Sequence, residues 1–228
     1  MTGIIVLCRY NSSRLPGKIL KSINGKVILA YILERLALIQ NDYPIVVCTS
    51  KEKSDDPIAE FCQNYGVSIF RGELKNVAKR FLDCAKNFGF DNAVRINGDN
   101  LFTDPHLIKM MIKEMELHNR NFVSNVKGRT FPSGLSVEIV NVRFYESMYG
   151  NFEDHDLEHV MTYFYKIGDK NFKFIKNKKI VCANINLAVD TEQDLKNASK
   201  IINLMKTKHT EYDYQKILAL YKKMETDE

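Results

Sequence analysis

Three cations crowd one short loop near the start of the chain. In IIVLCRYNSSRLPGKIL, residues 4–20, an apolar run from Ile4 to Leu7 gives way to a polar segment holding Arg9, Arg14 and Lys18. A loop that leaves a strand can aim backbone N–H groups at an anion. Asn11, Ser12 and Ser13 are small enough for the backbone to approach a ligand closely, and Gly17 permits a positive φ. Arg14 can grip two phosphate oxygens in its fork, while Lys18 adds a mobile point charge. The same composition also describes a solvated turn. Neither the Walker loop nor the dinucleotide fingerprint, each with its own glycine spacing, occurs anywhere in the chain.

Carboxylates that could complement those cations come from two distant places. RINGDNLFTDP, residues 95–105, follows an apolar run; Gly98 lets the chain turn tightly and Asp99 stands where a hard cation could bind it. Mg²⁺ takes one or two protein carboxylates and fills its shell with water and phosphate oxygens. NLAVDTEQDL, residues 186–195, offers Asp190 as a second ligand, again between an apolar run and a helix. Taken singly, each aspartate reads equally well as a turn or helix-cap residue. HDLEH, residues 155–159, has the H-x-x-E-H spacing that puts two zinc-ligating histidines on one helix face, but no third ligand accompanies it.

The elements that must position these residues alternate. Strands are expected at 3–8, 45–50, 67–70 and 92–97. Helices are expected at 27–40, at 57–65 after an Asp56 cap, at 74–88, and from Asp104-Pro105 onward. In the first helix Arg35 is a polar break in an apolar stripe. Short apolar strands separated by helices imply a parallel sheet covered on both faces, with ligands beyond the carboxyl ends of the strands. The second half is less regular: strands at 121–125, 135–141 and 184–190, helices at 142–149, 156–165 and 211–224, and a helix from a Thr191 cap to 206 with Asp194 completing a capping box. The fold class expected is α/β, a Rossmann-like three-layer α/β/α arrangement with a mostly parallel central sheet. One domain is expected over 1–228, falling into a first stretch at 1–120, a second at 121–190 and C-terminal helices from 191.

Composition narrows the class. The chain has 228 residues, 45% hydrophobic, with a net charge of +5. Such a balance suits an anionic small molecule as well as a nucleic acid. The six lysines between Lys166 and Lys179 read as a solvated hairpin or edge strand. No apolar run reaches the about 18 residues of a membrane span, and the N-terminus lacks the charged and apolar regions of a signal peptide. Five cysteines, Cys8, Cys48, Cys62, Cys84 and Cys182, form no C-x-x-C pair. They read as buried free thiols of a reducing cytoplasm.

CRYNSSRLPGKIL closely resembles the N-terminal signature of sugar-activating cytidylyltransferases, in both the CMP-Kdo synthetase group and the SpsF-type group. RINGDNLFTDP, VDTEQD and RTFPSGLSVEIV (129–140) resemble the middle, late and acceptor-side motifs of the SpsF-type group, and LEHVMTYFY its R-E-H-V-T-x-[YF] segment. The resemblance runs from residue 4 to about residue 200. Leu7 stands where the SpsF-type pattern usually has Gln, and Asn11 where it has Gly or Ala. No Asp-x-Asp of the glycosyltransferase type occurs in the Asp99 loop.

The likeness implies the nucleotide-diphospho-sugar transferase fold, GT-A-like, and transfer of CMP from CTP to a sugar acid or phosphorylated acceptor with release of pyrophosphate. Arg9, Asn11, Ser12, Ser13, Arg14 and Lys18 would then hold the triphosphate, Arg14 and Lys18 acting in catalysis. Leu7, Cys8, Asn97 and Gly98 would complete the nucleotide site, and Asp99 and Asp190 would bind Mg²⁺. Arg129, Ser133, Glu138, Glu158 and His159 would meet the acceptor, although Glu138 also reads as an exposed strand carboxylate. The partners implied are CTP and a small anionic sugar-type acceptor, with no nucleic acid or membrane and with a homodimer formed through the central region. A GT-A glycosyltransferase, a non-catalytic nucleotide-binding relative and a basic nucleic-acid module are the competing classes.

Overall fold

The computed structural model describes residues 1–177 and 182–226. Its first half realises the expected alternation: β1 (Thr2–Leu7), a hairpin of β2 (Ser22–Ile23) and β3 (Lys26–Val27), α1 (Ile28–Ala37), β4 (Ile45–Ser50), α2 (Asp56–Tyr65), β5 (Ser68–Gly72), α3 (Val77–Asn87), β6 (Asn92–Asn97) and α4 (Pro105–Leu117). The second half holds β7 (Phe122–Ser124), β8 (Glu138–Asn141), α5 (Val142–Tyr149), α6 (Asp154–His159), α7 (Thr162–Ile167), β9 (Phe172–Phe174), α8 (Glu192–Asn203) and α9 (Tyr214–Thr226).

The main sheet runs β5-β4-β1-β6-β8-β7-β9. β5, β4, β1 and β6 are mutually parallel. β8 then enters antiparallel to both β6 and β7, and β9 closes the sheet parallel to β7. Both faces are covered, as the unbroken apolar strands require. Along β1, Ile4 and Val6 pack into one core with α1, α2, α4, α8 and α9; Ile5 and Leu7 pack into the other with α3, α5 and the aromatic cluster around Phe164. In register, Leu7 lies opposite Cys48 on one side and Asn97 on the other. The loops after β1 and β6 therefore leave the sheet side by side, at the carboxyl ends where ligands bind.

Several expectations are corrected. Residues 184–190 do not form a strand: both edges of β6 are already taken by β1 and β8, and the segment has a single parallel bridge, Asn186 to Ser133. The helix expected over 156–165 is two short helices, broken at Val160, a β-branched residue at φ 56°. Arg35 is not a polar break but is 1% exposed. Its three guanidinium nitrogens donate to the carbonyls of Thr103, His209 and Tyr212, tying the C-terminal segment to α1. Asp56 does not cap α2 with its side chain but pairs with Arg71. The β2–β3 hairpin turns on Asn24-Gly25, both at positive φ, a dipeptide that favours this turn. The Thr191–Asp194 capping box is present as expected, and all five cysteines are free and buried. Of the lysine-rich stretch, Lys173 lies on the edge strand β9 and Lys166 pairs with Asp156; Lys178 and Lys179 lie outside the described residues, as do the last two residues of the C-terminal segment.

Candidate active site

The loop after β1 is fastened before it can display its charges. Asp55, fully buried, accepts from the Tyr10 amide at 2.7 Å, from Thr49 Oγ1 at 2.8 Å, and from the Ser50 amide and hydroxyl at 2.9 and 2.5 Å. Burial pushes this carboxyl up, but those hydrogen bonds outweigh it and hold the group below the usual carboxylate range. The Gly17 amide returns to the Tyr10 carbonyl at 2.8 Å, with Gly17 at φ 68° as expected. The turn delivers Lys18 to the cleft.

Asp99 and Asp190, 91 residues apart in sequence, meet there. The Gly98 amide bonds Leu7 O at 2.8 Å, which sets the β6 loop against the end of β1, and the Val189 amide bonds Asp99 O at 3.0 Å. Gly134 (φ +86°) makes the approach of the 184–190 segment possible: a Cβ there would lie 2.5 Å from Ala188 N. Ser133 exchanges backbone hydrogen bonds with Ile185 and Leu187. The capping box finishes the work, since Asp194 also accepts from the Asp190 amide at 3.1 Å. Lys18 Nζ lies 2.7 Å from Asp190 Oδ1 and 3.3 Å from Asp99 Oδ2, and Arg14 Nη2 lies 3.0 Å from Asp190 Oδ2. Burial raises the Asp99 carboxyl above its ordinary value, with the neighbouring Asp190 charge adding to the rise and Lys18 opposing it.

The donor set suits a hard divalent cation. Two carboxylates converge on one point and already share a cation, the Lys18 ammonium. Mg²⁺ needs no more from a protein when phosphate and water complete its shell. No group of three or more His, Cys, Asp or Glu that could hold a metal occurs among the described residues. That holds for HDLEH too: the His155 and His159 rings lie 4.5 Å apart without a third ligand.

A cleft of about 410 Å³ opens over these groups. Of the expected nucleotide residues, Leu7, Cys8, Arg9, Ser12, Ser13, Arg14, Lys18, Asn97 and Gly98 line it, with Asp99 and Asp190 and, from α6, Glu158 and His159. Asn11 does not; it is exposed in the loop. A second hollow of about 430 Å³ adjoins it between the start of α3 and α6, and the two share Arg9, Val77 and Glu158.

Three of the expected acceptor residues, Arg129, Ser133 and Glu138, do not line the cleft. Glu138 is not an exposed strand carboxylate: it is 3% exposed, ion-paired to Arg95 and bonded by the Tyr165 hydroxyl at 2.5 Å. Arg129 reaches the Pro132 carbonyl at 3.5 Å, and Ser133 is committed to the backbone bridge. Two arginines that sequence reasoning did not single out, Arg80 and Arg95, do line the cleft. The signal for Arg80 was a cation inside the run Ala78, Phe81, Leu82, Ala85 that α3 turns inward. Arg95 likewise interrupts an apolar strand.

A family model described as cytidylyltransferase matches residues 3–225. An uncharacterized protein of Methanocaldococcus jannaschii is 33% identical over 195 residues, covering 84% of this chain and 79% of that one. The spore coat polysaccharide biosynthesis protein SpsF of Bacillus subtilis is 30% identical over 165 residues, covering 70% and 68%. The solved structure of a cytidylyltransferase from Leptospira borgpetersenii serovar Hardjo-bovis superposes with a TM-score of 0.91 at 29% identity, covering 99% of this chain and 95% of that one. The chain belongs to the cytidylyltransferase family and is a CTP-dependent nucleotidyltransferase.

Proposed function

We propose that this cytidylyltransferase moves CMP from CTP to a sugar acid or a phosphorylated sugar-type acceptor, with Mg²⁺ as cofactor, supplying activated precursors for surface polysaccharide in the cytoplasm. The observation that carries the reading is the Lys18 ammonium held between Asp99 and Asp190 with Arg14 on the other oxygen of Asp190, in a cleft beyond the ends of β1 and β6. Support for the pathway comes from the relative named for spore coat polysaccharide biosynthesis.

An acceptor oxygen attacks the α-phosphorus of CTP; the bond to the bridging oxygen breaks, and pyrophosphate leaves with the electron pair. The difficulty is to gather mutually repelling anions and to stabilise the charge developing on the leaving group. Fixed cations do this without a covalent intermediate. Arg9, Arg14 and Lys18 neutralise the triphosphate, while Leu7, Cys8, Ser12, Ser13, Asn97 and Gly98, with Asn11 beside them, surround the nucleotide. Asp99 and Asp190 hold Mg²⁺, which when bound polarises phosphate oxygens as a Lewis acid. An acceptor that attacks through an ionised carboxylate or phosphate needs no general base. Glu158 and His159 face the acceptor directly. Arg129, Ser133 and Glu138 serve that side from behind, Glu138 by holding Arg95. No helix among the described residues is long and apolar enough to cross a membrane; the partners in this reading are small molecules and a second copy of the chain, without nucleic acid.

The test is pyrophosphate release with four nucleoside triphosphates against a panel of sugar acids and sugar phosphates, with and without Mg²⁺. CTP-dependent, Mg²⁺-dependent release is expected. Asp99→Asn and Asp190→Asn should each lose about 10²-fold or more in rate, the scale of removing one charge-stabilising group; variants that keep the full Mg²⁺-dependent rate would overturn the metal assignment.

A further inference from the structure

Arg95 sits inside a strand of the sheet and still opens onto the cleft. Along β6, Val94 and Ile96 point into one core and Ala93 into the other. Alternation therefore turns Arg95 to the second face, the one that α3 and α5 cover. There its Nη1 donates to Glu138, its antiparallel neighbour on β8. Glu138 is held in turn: it accepts from the Tyr165 hydroxyl at 2.5 Å, and Ser124 Oγ lies 2.6 Å from that hydroxyl. Three side chains in series thus fix the guanidinium from behind. Its Nε is sealed inside without a partner, out of a ligand's reach. Nη2 is placed differently. Among the described residues no protein group accepts from it, and it is not one of the sealed atoms, on a side chain that is 18% exposed. Arg35 is the contrast, since each of its three nitrogens reaches a carbonyl and its donors are spent on holding structure.

The place of Arg95 says which reactant it meets. In the sheet β6 lies between β1 and β8. The loop cations Arg9, Arg14 and Lys18 come from the β1 side, and Arg14 and Lys18 both reach Asp190. Arg95 stands on the β8 side of the same cleft, which Glu158 and His159 also line. Its charge is felt at Asp99, where it works against the rise caused by burial. In an in-line displacement the attacking and leaving oxygens lie on opposite sides of the α-phosphorus. With pyrophosphate leaving toward the loop cations, the attacking molecule comes from the opposite flank, the one on which Arg95 stands. Resting on the proposed transfer to an anionic acceptor, we infer that Arg95 is a specificity-determining residue whose free Nη2 binds an oxyanion of the acceptor, carboxylate or phosphate, while Glu138 keeps the guanidinium aimed. A donor held rigid before binding loses little freedom on contact. The ion pair with Glu138 survives, because the acceptor takes a nitrogen that the protein leaves unused.

Titration calorimetry of acceptor binding tests this, on the full-length protein loaded with Mg²⁺ and α,β-methylene-CTP, which cannot release pyrophosphate. The probe is whichever sugar acid or sugar phosphate wild type turns over fastest with CTP. It is set against a derivative with one charge fewer: the carboxamide of an acid, or the methyl ester of a phosphate. Wild type should bind the fully charged form more tightly. Arg95→Lys keeps a cation for Glu138 but removes the spare donor. It should weaken the charged form by about 10-fold or more, the scale of a hydrogen bond to a charged group, while the derivative and CTP alone bind close to wild type. Arg95→Met should weaken the charged form at least as far. Should Arg95→Met fail to fold because Glu138 is left buried without its partner, Arg95→Lys decides. If Arg95 only braces the sheet, Arg95→Lys shifts the melting temperature but leaves the ratio of charged form to derivative unchanged, and the inference is overturned. If affinity for CTP falls as far as that for the acceptor, Arg95 serves the triphosphate and the inference is again overturned; in both cases the enzyme reading stands. If wild type turns over no nucleotide with any member of the panel, the enzyme reading itself fails.

Discussion

The parallel half of the sheet, β5 to β6, and the antiparallel ribbon β8–β7 that extends it hold their charged groups in opposite ways. On the parallel side the charges hang on loops past the strand ends. They are held by backbone contacts and by one buried carboxylate, Asp55, and their own pairs lie in the open cleft. From the β6–β8 seam outward charge is sunk into the sheet: Glu138 on β8 takes Arg95 from β6 and the Tyr165 hydroxyl, which in turn meets Ser124 at 2.6 Å. A pair at a loop tip can exchange its protein partner for a ligand at small structural cost. A pair inside a strand ladder cannot, because breaking it strands a charge away from water. The first arrangement suits groups that must turn over with substrate, and the second suits groups that must keep still.

This contrast can be broken or sharpened by substitution. Lys18→Met should lower turnover by about 10²–10³-fold, the range found when one charge-stabilising donor is removed, while leaving thermal stability close to wild type. Glu138→Ala should do the reverse in emphasis, costing about 1–3 kcal/mol of stability because Arg95, 18% exposed at the cleft, loses its partner and the Tyr165 hydroxyl loses its acceptor, with denaturant titration as the measurement. If Lys18→Met proves as destabilising as Glu138→Ala, the two regions are not built differently.

A smaller effect is expected at Val160, where the chain bends to present Glu158 and His159. The bend is held by the Tyr145 hydroxyl on the Val160 carbonyl at 2.9 Å and by Thr162 and Lys166 on the buried Asp156. Glycine accepts a positive φ that alanine resists, so Val160→Gly should be more stable than Val160→Ala by about 0.5–1 kcal/mol, reversing their order in an ordinary helix.

The smallest effect concerns pH. His209 packs edge-on to Tyr31 and bonds Glu34 at 2.6 Å. Burial lowers its pKa, against the opposing pull of Glu34. Its folded value lies below its unfolded value, so the unfolded chain takes up the proton first. The neutral ring's contribution is complete above about pH 6.5, the unfolded value, and declines as pH falls toward the folded one. The carboxyl of Glu34 is itself lowered: burial raises it, but the hydrogen bonds from His209 and Lys26 outweigh that, so its own contribution persists to lower pH and is lost only there. The melting temperature of wild type relative to His209→Gln should therefore fall between pH 7.5 and pH 5.5.

What the sequence determined by itself was local and periodic. Apolar runs of strand length, helical stripes and the Thr191–Asp194 box depend on neighbours a few residues away, and so does the three-cation loop. The ordered motifs shared with cytidylyltransferases added the candidate partners Asp99 and Asp190. The tertiary structure decided which edges of the sheet were free, and so denied residues 184–190 a place as a strand and used them to carry Asp190 to Asp99. It also decided the fates of the buried charges. Glu138, Arg35, Arg80 and Arg95 look alike in a sequence, because a side chain's charge says nothing of its partners. Whether such a group braces the fold or waits for a ligand depends on how much of its hydrogen-bonding capacity the surrounding chain satisfies, and that is a property of contacts made across the whole chain.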